Sequence, residues 1–146
     1  MSELGHVVFY VRNLERSSQF YAEVVGLHRV GTIFNGRATA FSGGRTHHEL
    51  LLIEVGAAPG PMEGKRIGLY HVGWKIGEDR AALLAARDRA QAHGVVLEGL
   101  ADHTVSQSLY MRDPDGNEVE LFIDDPAVDW RRSNEWLDTP VRPLTL

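Results

Sequence analysis

The sequence predicts an α+β fold built from two βαβββ modules, and two observations predict it. A strand pattern carrying one histidine occurs twice, with His71 lying 65 residues after His6. Each copy is followed by a helix pattern and then by three short strand-like runs. A chain of 146 residues suits one domain whose two halves share a core.

The elements follow in order. The first strand pattern is Leu4-Gly5-His6-Val7-Val8-Phe9-Tyr10-Val11, and its counterpart is Leu69-Tyr70-His71-Val72-Gly73-Trp74-Lys75-Ile76. Side chains alternate across a strand, so Val7, Phe9 and Val11 share one face, as do Val72, Trp74 and Ile76. His6 and His71 point to the opposite face. Asn13 is a helix N-cap signal, Leu14, Phe20, Tyr21, Val24 and Val25 form an apolar stripe, and Gly26 is a stop. The second helix is expected over about Glu78 to His93, alanine-rich and ended by Gly94. Strand-like runs follow at about 27–34, 37–42 and 47–55, and again at about 95–101, 105–112 and 117–123. Asn35-Gly36 and Asp113-Pro114-Asp115-Gly116 are hairpin turn signals.

Module one thus occupies about 4–55, a Pro/Gly-rich linker 56–66, module two about 67–124, and a tail 125–146. The tail, with Trp130, Trp136, Pro140 and Pro143, has no clean periodicity and is expected to wrap over the body. A duplicated module sets equivalent residues either side of a pseudo-twofold axis, where matching strands converge. The expected product is a partly closed, cup-shaped sheet with helices outside.

Composition removes several function classes. Hydrophobic residues make up 43% and charged residues 24%, as in ordinary globular proteins. No apolar run approaches the roughly 20 residues that span a bilayer. The N-terminus goes straight into a strand pattern without a basic or apolar leader, so no secretory signal is expected. With no cysteine there are no disulfides or thiolate metal sites, which fits a cytoplasmic location. Net charge is −5 and no basic stripe exists to bind nucleic acid.

Without cysteine, histidine and carboxylate are the good transition-metal ligands this chain has. Glu120 lies inside the apolar strand pattern Asn117-Glu118-Val119-Glu120-Leu121-Phe122-Ile123. A carboxylate there is costly unless it is paired or holds a cation. His6, His71 and Glu120 therefore form a candidate two-histidine, one-carboxylate triad, suited to Fe(II) and, less specifically, to Mn(II), Zn or Ni. Such a triad leaves up to three positions for substrate, dioxygen or water.

The repeat, the two strand-initial histidines and the Asp113-Pro114-Asp115-Gly116-Asn117-Glu118-Val119-Glu120 segment resemble the vicinal oxygen chelate superfamily over roughly residues 4–124. That superfamily holds extradiol dioxygenases, glyoxalase I, epimerases, fosfomycin-resistance enzymes and bleomycin-binding proteins. Three further features resemble type I extradiol catechol dioxygenases. They are His47-His48-Glu49-Leu50-Leu51-Leu52, the Asp102-His103-Thr104-Val105-Ser106 loop, and Tyr110 placed between His103 and Glu120. The resemblance implies Fe(II) or Mn(II) on His6, His71 and Glu120. It implies proton transfer and binding of the oxygen intermediate by His48 and His103, and donation from Tyr110 to a substrate oxygen. It implies a small aromatic or other oxygen-chelating substrate, dioxygen, and a homodimer whose modules pair within or across chains.

His48 is preferred over His47 on strand parity, since it shares a face with Leu50, Leu52 and Glu54. Glu54 carries an alternative. At an offset of 66 it matches Glu120 and becomes a possible fourth ligand, the set of a glyoxalase I-like isomerase. Fosfomycin-type addition and a non-catalytic binding protein are further alternatives; the sequence offers no clear cationic pocket for a phosphonate, Lys75 and Arg112 being the cations open to facing the cup. Trp130 and Trp136 either close over an aromatic substrate or pack at a dimer seam.

Overall fold

The computed structural model describes residues Met1–Leu146 and divides into two compact units. Unit one is Met1–Glu63 with Asp113–Gly116, and unit two is Gly64–Arg112 with Asn117–Leu146. Each carries one open sheet with a helix on one face.

Unit one contains β1 (Val7–Val11), α1 (Leu14–Gln19), β2 (His28–Ile33), β3 (Ala38–Ser42) and β4 (Leu50–Glu54). The strand order is β1-β4-β3-β2, with β1 parallel to β4 and the other pairs antiparallel. Asn13 caps α1, its side chain accepting from the Arg16 N–H at 2.8 Å. The single helix expected from Asn13 to Gly26 is in fact α1 followed by a wider π-helical stretch, Phe20–Val25. Gly26, left-handed at φ +95°, donates back five residues to the Tyr21 carbonyl. The stretch buries Phe20, Tyr21, Val24 and Val25, on the apolar side with Phe41, Leu50 and Leu52. Val8 and Tyr10, on the other face of β1, stay exposed.

Unit two contains β5 (His71–Gly77), α2 (Arg80–Ala92), β6 (Gly99–Asp102), β7 (Ser106–Arg112), β8 (Glu118–Asp124) and β9 (Arg142–Pro143), in the order β5-β8-β7-β6-β9. Asp79 caps α2 by accepting from the Ala82 N–H at 3.1 Å. Leu83, Ala86 and Ala90 are buried on the helix, and Leu109, Met111, Val119, Leu121 and Ile123 on β7 and β8. Small residues let α2 lie close: a Cβ at Gly77 would come within 2.5 Å of the Ala82 Cβ.

Two expected strands are shorter than the sequence suggests. Val95 N–H closes α2 on the Ala90 carbonyl at 2.8 Å, residues 95–98 are irregular, and β6 begins at Gly99. Residues 47–49 form a bend ahead of β4. The tail supplies what the βαβββ reading lacks, a fifth strand. β9 pairs with β6 at Ala101↔Pro143 and Asp102↔Arg142, and Leu144 beside it is buried. No helix is long and apolar enough to cross a membrane.

Within unit one, the Tyr21 hydroxyl donates to Asp113 Oδ2 at 2.9 Å, fully buried. Burial, then the Asp113 charge, pushes the phenol well above its ordinary pKa, so it stays a donor. Tyr21→Phe leaves the buried Asp113 short of a partner and is expected to cost about 1–3 kcal/mol, measured by urea unfolding. An unchanged midpoint would mean that this bond adds nothing to the fold.

Candidate functional site

Alternation in β8 sends Val119, Leu121 and Ile123 into the helix-covered core, and Glu118, Glu120 and Phe122 to the other face. The pairing register then chooses their neighbours. Glu120 lies opposite Gly73 on β5 and Tyr110 on β7, and Glu118 lies opposite His71 and Arg112. Gly73 makes room: a Cβ there would meet Glu120 Oε2 at 3.1 Å and the Phe122 ring at 3.4 Å. The carboxylate uses that space to reach His71, with Nε2 and Oε2 3.0 Å apart.

A hydrogen-bonded chain extends from this pair. Ser108 Oγ and Tyr110 Oη both donate to Glu120 Oε1, at 2.6 and 2.9 Å. His103 Nε2 is 2.8 Å from Tyr110 Oη. Tyr110 has one proton, given to the carboxylate, so His103 must carry its proton on Nε2 and donate to the phenol oxygen. Burial, reinforced by the Glu120 charge, drives the Tyr110 pKa far up, and the phenol remains protonated across the working range. His71 Nδ1 is buried without a hydrogen bond, the Glu118 carboxylate standing 3.5 Å away.

The donor pair fits a metal. Two ligand atoms at bond lengths of about 2.0–2.2 Å and a right angle sit about 3 Å apart, and His71 Nε2 and Glu120 Oε2 have that spacing. Glu120 Oε1 takes both hydroxyls and Oε2 takes neither, so Oε2 is the oxygen left facing His71 and open to a shared cation. The structure does not gather three or more His, Asp or Glu side chains into one metal-ligand group.

Unit one brings His6, His47 and His48 together. His6 immediately precedes β1 and is exposed, and its ring lies 4.7 Å from that of His48. His47 lies tilted against His48, with ring centroids 4.5 Å apart and the two Nδ1 atoms hydrogen-bonded. Because 47–49 are not strand, parity does not distinguish the two histidines; contact with His6 does, and it falls to His48. Partial burial first, then the neighbouring His47 and His6, hold the His48 pKa below the ordinary value, which favours the neutral ring.

The bend is organised by Glu49. Its buried carboxylate accepts from the backbone N–H groups of Gly43 at 2.7 Å and of Arg45 and Thr46 at 3.0 Å. The Arg45 guanidinium donates onward to the carbonyls of Leu4 at 2.6 Å and Gly5 at 3.3 Å, just before His6.

Glu54 is placed elsewhere. In unit two the residue opposite His71+2 (Gly73) is Glu120; in unit one the residue opposite His6+2 (Val8) is Leu51. Glu54 is three positions beyond, hence on the opposite strand face, where its Oε2 accepts from the Leu14 N–H at 2.7 Å and helps cap α1. The linear offset of 66 misaligns the two strands, so the fourth-ligand expectation is corrected: Glu54 serves the helix.

Lys75 and Arg112, the two cations weighed for a phosphonate, are engaged in ion pairs. Lys75 lies 2.8 Å from Glu78 and 3.0 Å from Asp124, and Arg112 lies 3.0 Å from Glu98 and 3.5 Å from Glu118. Sequence reasoning missed Ser108, Gly73 and Glu118. Period-two spacing carried a signal for the first, since Ser106, Ser108 and Tyr110 share a face.

The Glu49 shift yields a pH prediction. Burial pushes its carboxyl up, but the three N–H donors outweigh it and the pKa is lowered. A lowered carboxylate pKa gives stability that is present above the unfolded value and lost as pH falls through the folded one. Glu49→Gln is expected to destabilise the fold at pH 7 by about 1–3 kcal/mol and to flatten the loss of stability below about pH 4.5. Urea unfolding across pH checks both, and an unaltered slope would deny Glu49 this role.

A sequence model of the glyoxalase/bleomycin resistance protein/dioxygenase superfamily matches residues 3–121. The chain is 33% identical over 135 residues to catechol-2,3-dioxygenase of Bacillus subtilis (strain 168), covering 92% of this chain and 46% of that protein. It therefore spans less than half the length of that relative. It is 27% identical over 145 residues to biphenyl-2,3-diol 1,2-dioxygenase 2 of Rhodococcus globerulus, covering 95% and 74%. Among solved structures, lactoylglutathione lyase from Agrobacterium tumefaciens aligns with a TM-score of 0.62 and 27% identity over 84% of this chain and 94% of that one. A glyoxylase/bleomycin resistance protein/dioxygenase domain from Frankia sp. EAN1pec shares the fold, with a TM-score of 0.69 and 20% identity over 86% and 99%. By its matched length, its module architecture and its relatives, the chain belongs to the glyoxalase/bleomycin resistance protein/dioxygenase superfamily.

Proposed function

We propose that this protein is a metal-dependent, extradiol-type ring-cleavage dioxygenase acting on a catechol-like aromatic with dioxygen. The observation that carries this reading is the chain His103–Tyr110–Glu120–His71, in which a metal-type donor pair is joined to a phenol and an imidazole. An isomerase has no evident use for that phenol and imidazole, whereas a reaction that deprotonates and then opens a dihydroxylated ring uses both. The catechol and biphenyl-diol relatives are both diol dioxygenases by name, which supports the same class.

His71 and Glu120 would hold the metal, with His6 as the third ligand and Fe(II) as the ion best suited to this donor set. When bound, the ion supplies a centre with open positions where two adjacent substrate oxygens and dioxygen meet side by side. The chain's own groups do the rest. His48, its neutral form favoured, accepts a catechol proton. Tyr110 only donates, so it suits a substrate oxygen bearing negative charge. When Tyr110 turns to that oxygen, Ser108 keeps Glu120 Oε1 hydrogen-bonded. His103, donating to the phenol, strengthens it as a donor, and on taking up a proton at Nδ1 it would return one through Nε2. We propose in addition a homodimer, which the family resemblance implies, and a cytoplasmic location, which the absence of cysteine fits.

The isomerase alternative loses its fourth ligand with Glu54, and the phosphonate alternative loses free cations with Lys75 and Arg112. The test is oxygen uptake by protein loaded anaerobically with Fe(II) and given a panel of substituted catechols. Uptake is expected, falling at least about a hundredfold in His71→Ala and roughly 10²–10⁴-fold in His48→Ala. Iron-loaded protein that consumes no oxygen with any catechol would overturn the assignment.

A further inference from the structure

Thr104 sits at φ +71°, a left-handed conformation that a β-branched residue avoids, directly after His103. Its hydroxyl is buried without a hydrogen-bond partner, so the side chain gives no local compensation. Such strain persists only where the surroundings impose it. Here they are explicit. Asp102 Oδ1 accepts from the Thr104 N–H at 2.7 Å, and Asp102 Oδ2 accepts from Arg142 at 3.0 Å. One carboxylate thus bridges the strained turn and the tail strand. His103 N–H donates to the Ser106 carbonyl at 2.8 Å, closing the loop on which the imidazole is carried.

The tail is itself anchored. Arg142 is the β9 residue paired with Asp102, Leu144 is buried, and Arg80 at the start of α2 donates to the Thr145 carbonyl. Arg142 is more than half exposed at its side chain, and a pair of that kind contributes little to stability. What the pair does supply is a direct link from the tail strand to the carboxylate that accepts from the turn.

We propose that Arg142 is a positioning residue: from the tail strand, through Asp102 and the strained Thr104, it sets the His103 imidazole on Tyr110. The proposal rests on the ring-cleavage reading for its catalytic consequence, but not for its structural one. It assigns the tail a role other than a lid, acting on the proton-handling side of the site.

Two readouts test it in the full-length protein. In the metal-free protein, ring nitrogen NMR shifts report the His103 tautomer. Wild type is expected to show a single Nε2–H form, Arg142→Ala a mixture of tautomers, and Arg142→Lys a return toward wild type. In the iron-loaded protein, Arg142→Ala is expected to lower kcat roughly ten- to a hundredfold with KM changed less than about threefold, and Arg142→Lys to recover most of it. Urea unfolding of each variant identifies any that is not folded, in which case Asp102→Asn replaces it with the same expectations. Unmoved His103 signals in a folded variant overturn the coupling, whatever the activity. A wild type that turns over no catechol overturns the ring-cleavage reading instead, and the NMR result alone then decides the coupling.

Discussion

A carboxylate in the middle of a strand between two other strands needs partners, and the Glu120 side chain organises the second unit for this reason. Only 14% of it is exposed, so its charge has lost most of its water. Two hydroxyls from β7 and one imidazole from β5 replace that water. The replacements demand a given sheet. Ser108 and Tyr110 reach Oε1 because β7 is antiparallel to β8 in a register that puts Tyr110 directly opposite. His71 reaches Oε2 because β5 is parallel on the other side and Gly73 leaves the approach clear. Removing any one neighbour leaves a buried charge less well satisfied, which is more costly than never having built the group.

The first unit handles the buried Glu49 carboxylate differently. Glu49 is held by three backbone N–H groups of one bend, so it shapes a loop and leaves no oxygen oriented toward a shared ligand. What the bend presents is His48, set against His6, while Arg45 draws the segment preceding His6 onto the same loop. The two units are repeats in topology and complementary in chemistry. One offers a carboxylate–histidine pair with a phenol, and the other offers a pair of histidines.

Much of this is legible in the sequence, because the repeat and the period-two alternation fix faces. His71, Glu120 and Tyr110 fall on one face of their sheet by counting alone, and Asn13, Gly26 and Gly94 mark helix limits correctly. Register is not legible. Loops of unequal length shift the linear offset between modules, and Glu54 looks equivalent to Glu120 until the strand pairing gives Leu51 that position. The bend at 47–49 is hidden because His-His-Glu followed by leucines continues a strand pattern, while the carboxylate's preference for backbone donors is a tertiary matter. β9 is hidden for a simpler reason, since two residues carry no periodicity.

The central assignment is that His71 and Glu120 form one edge of a metal site, and the most direct measurement is a crystal structure grown with Mn(II), located by anomalous scattering. The expected result is one ion bonded to His71 Nε2 and Glu120 Oε2 at about 2.0–2.2 Å, with His6 of the same or a second copy as the third protein ligand. A structure in which the ion binds elsewhere, or in which His71 and Glu120 keep their direct contact in the presence of excess metal, would contradict it.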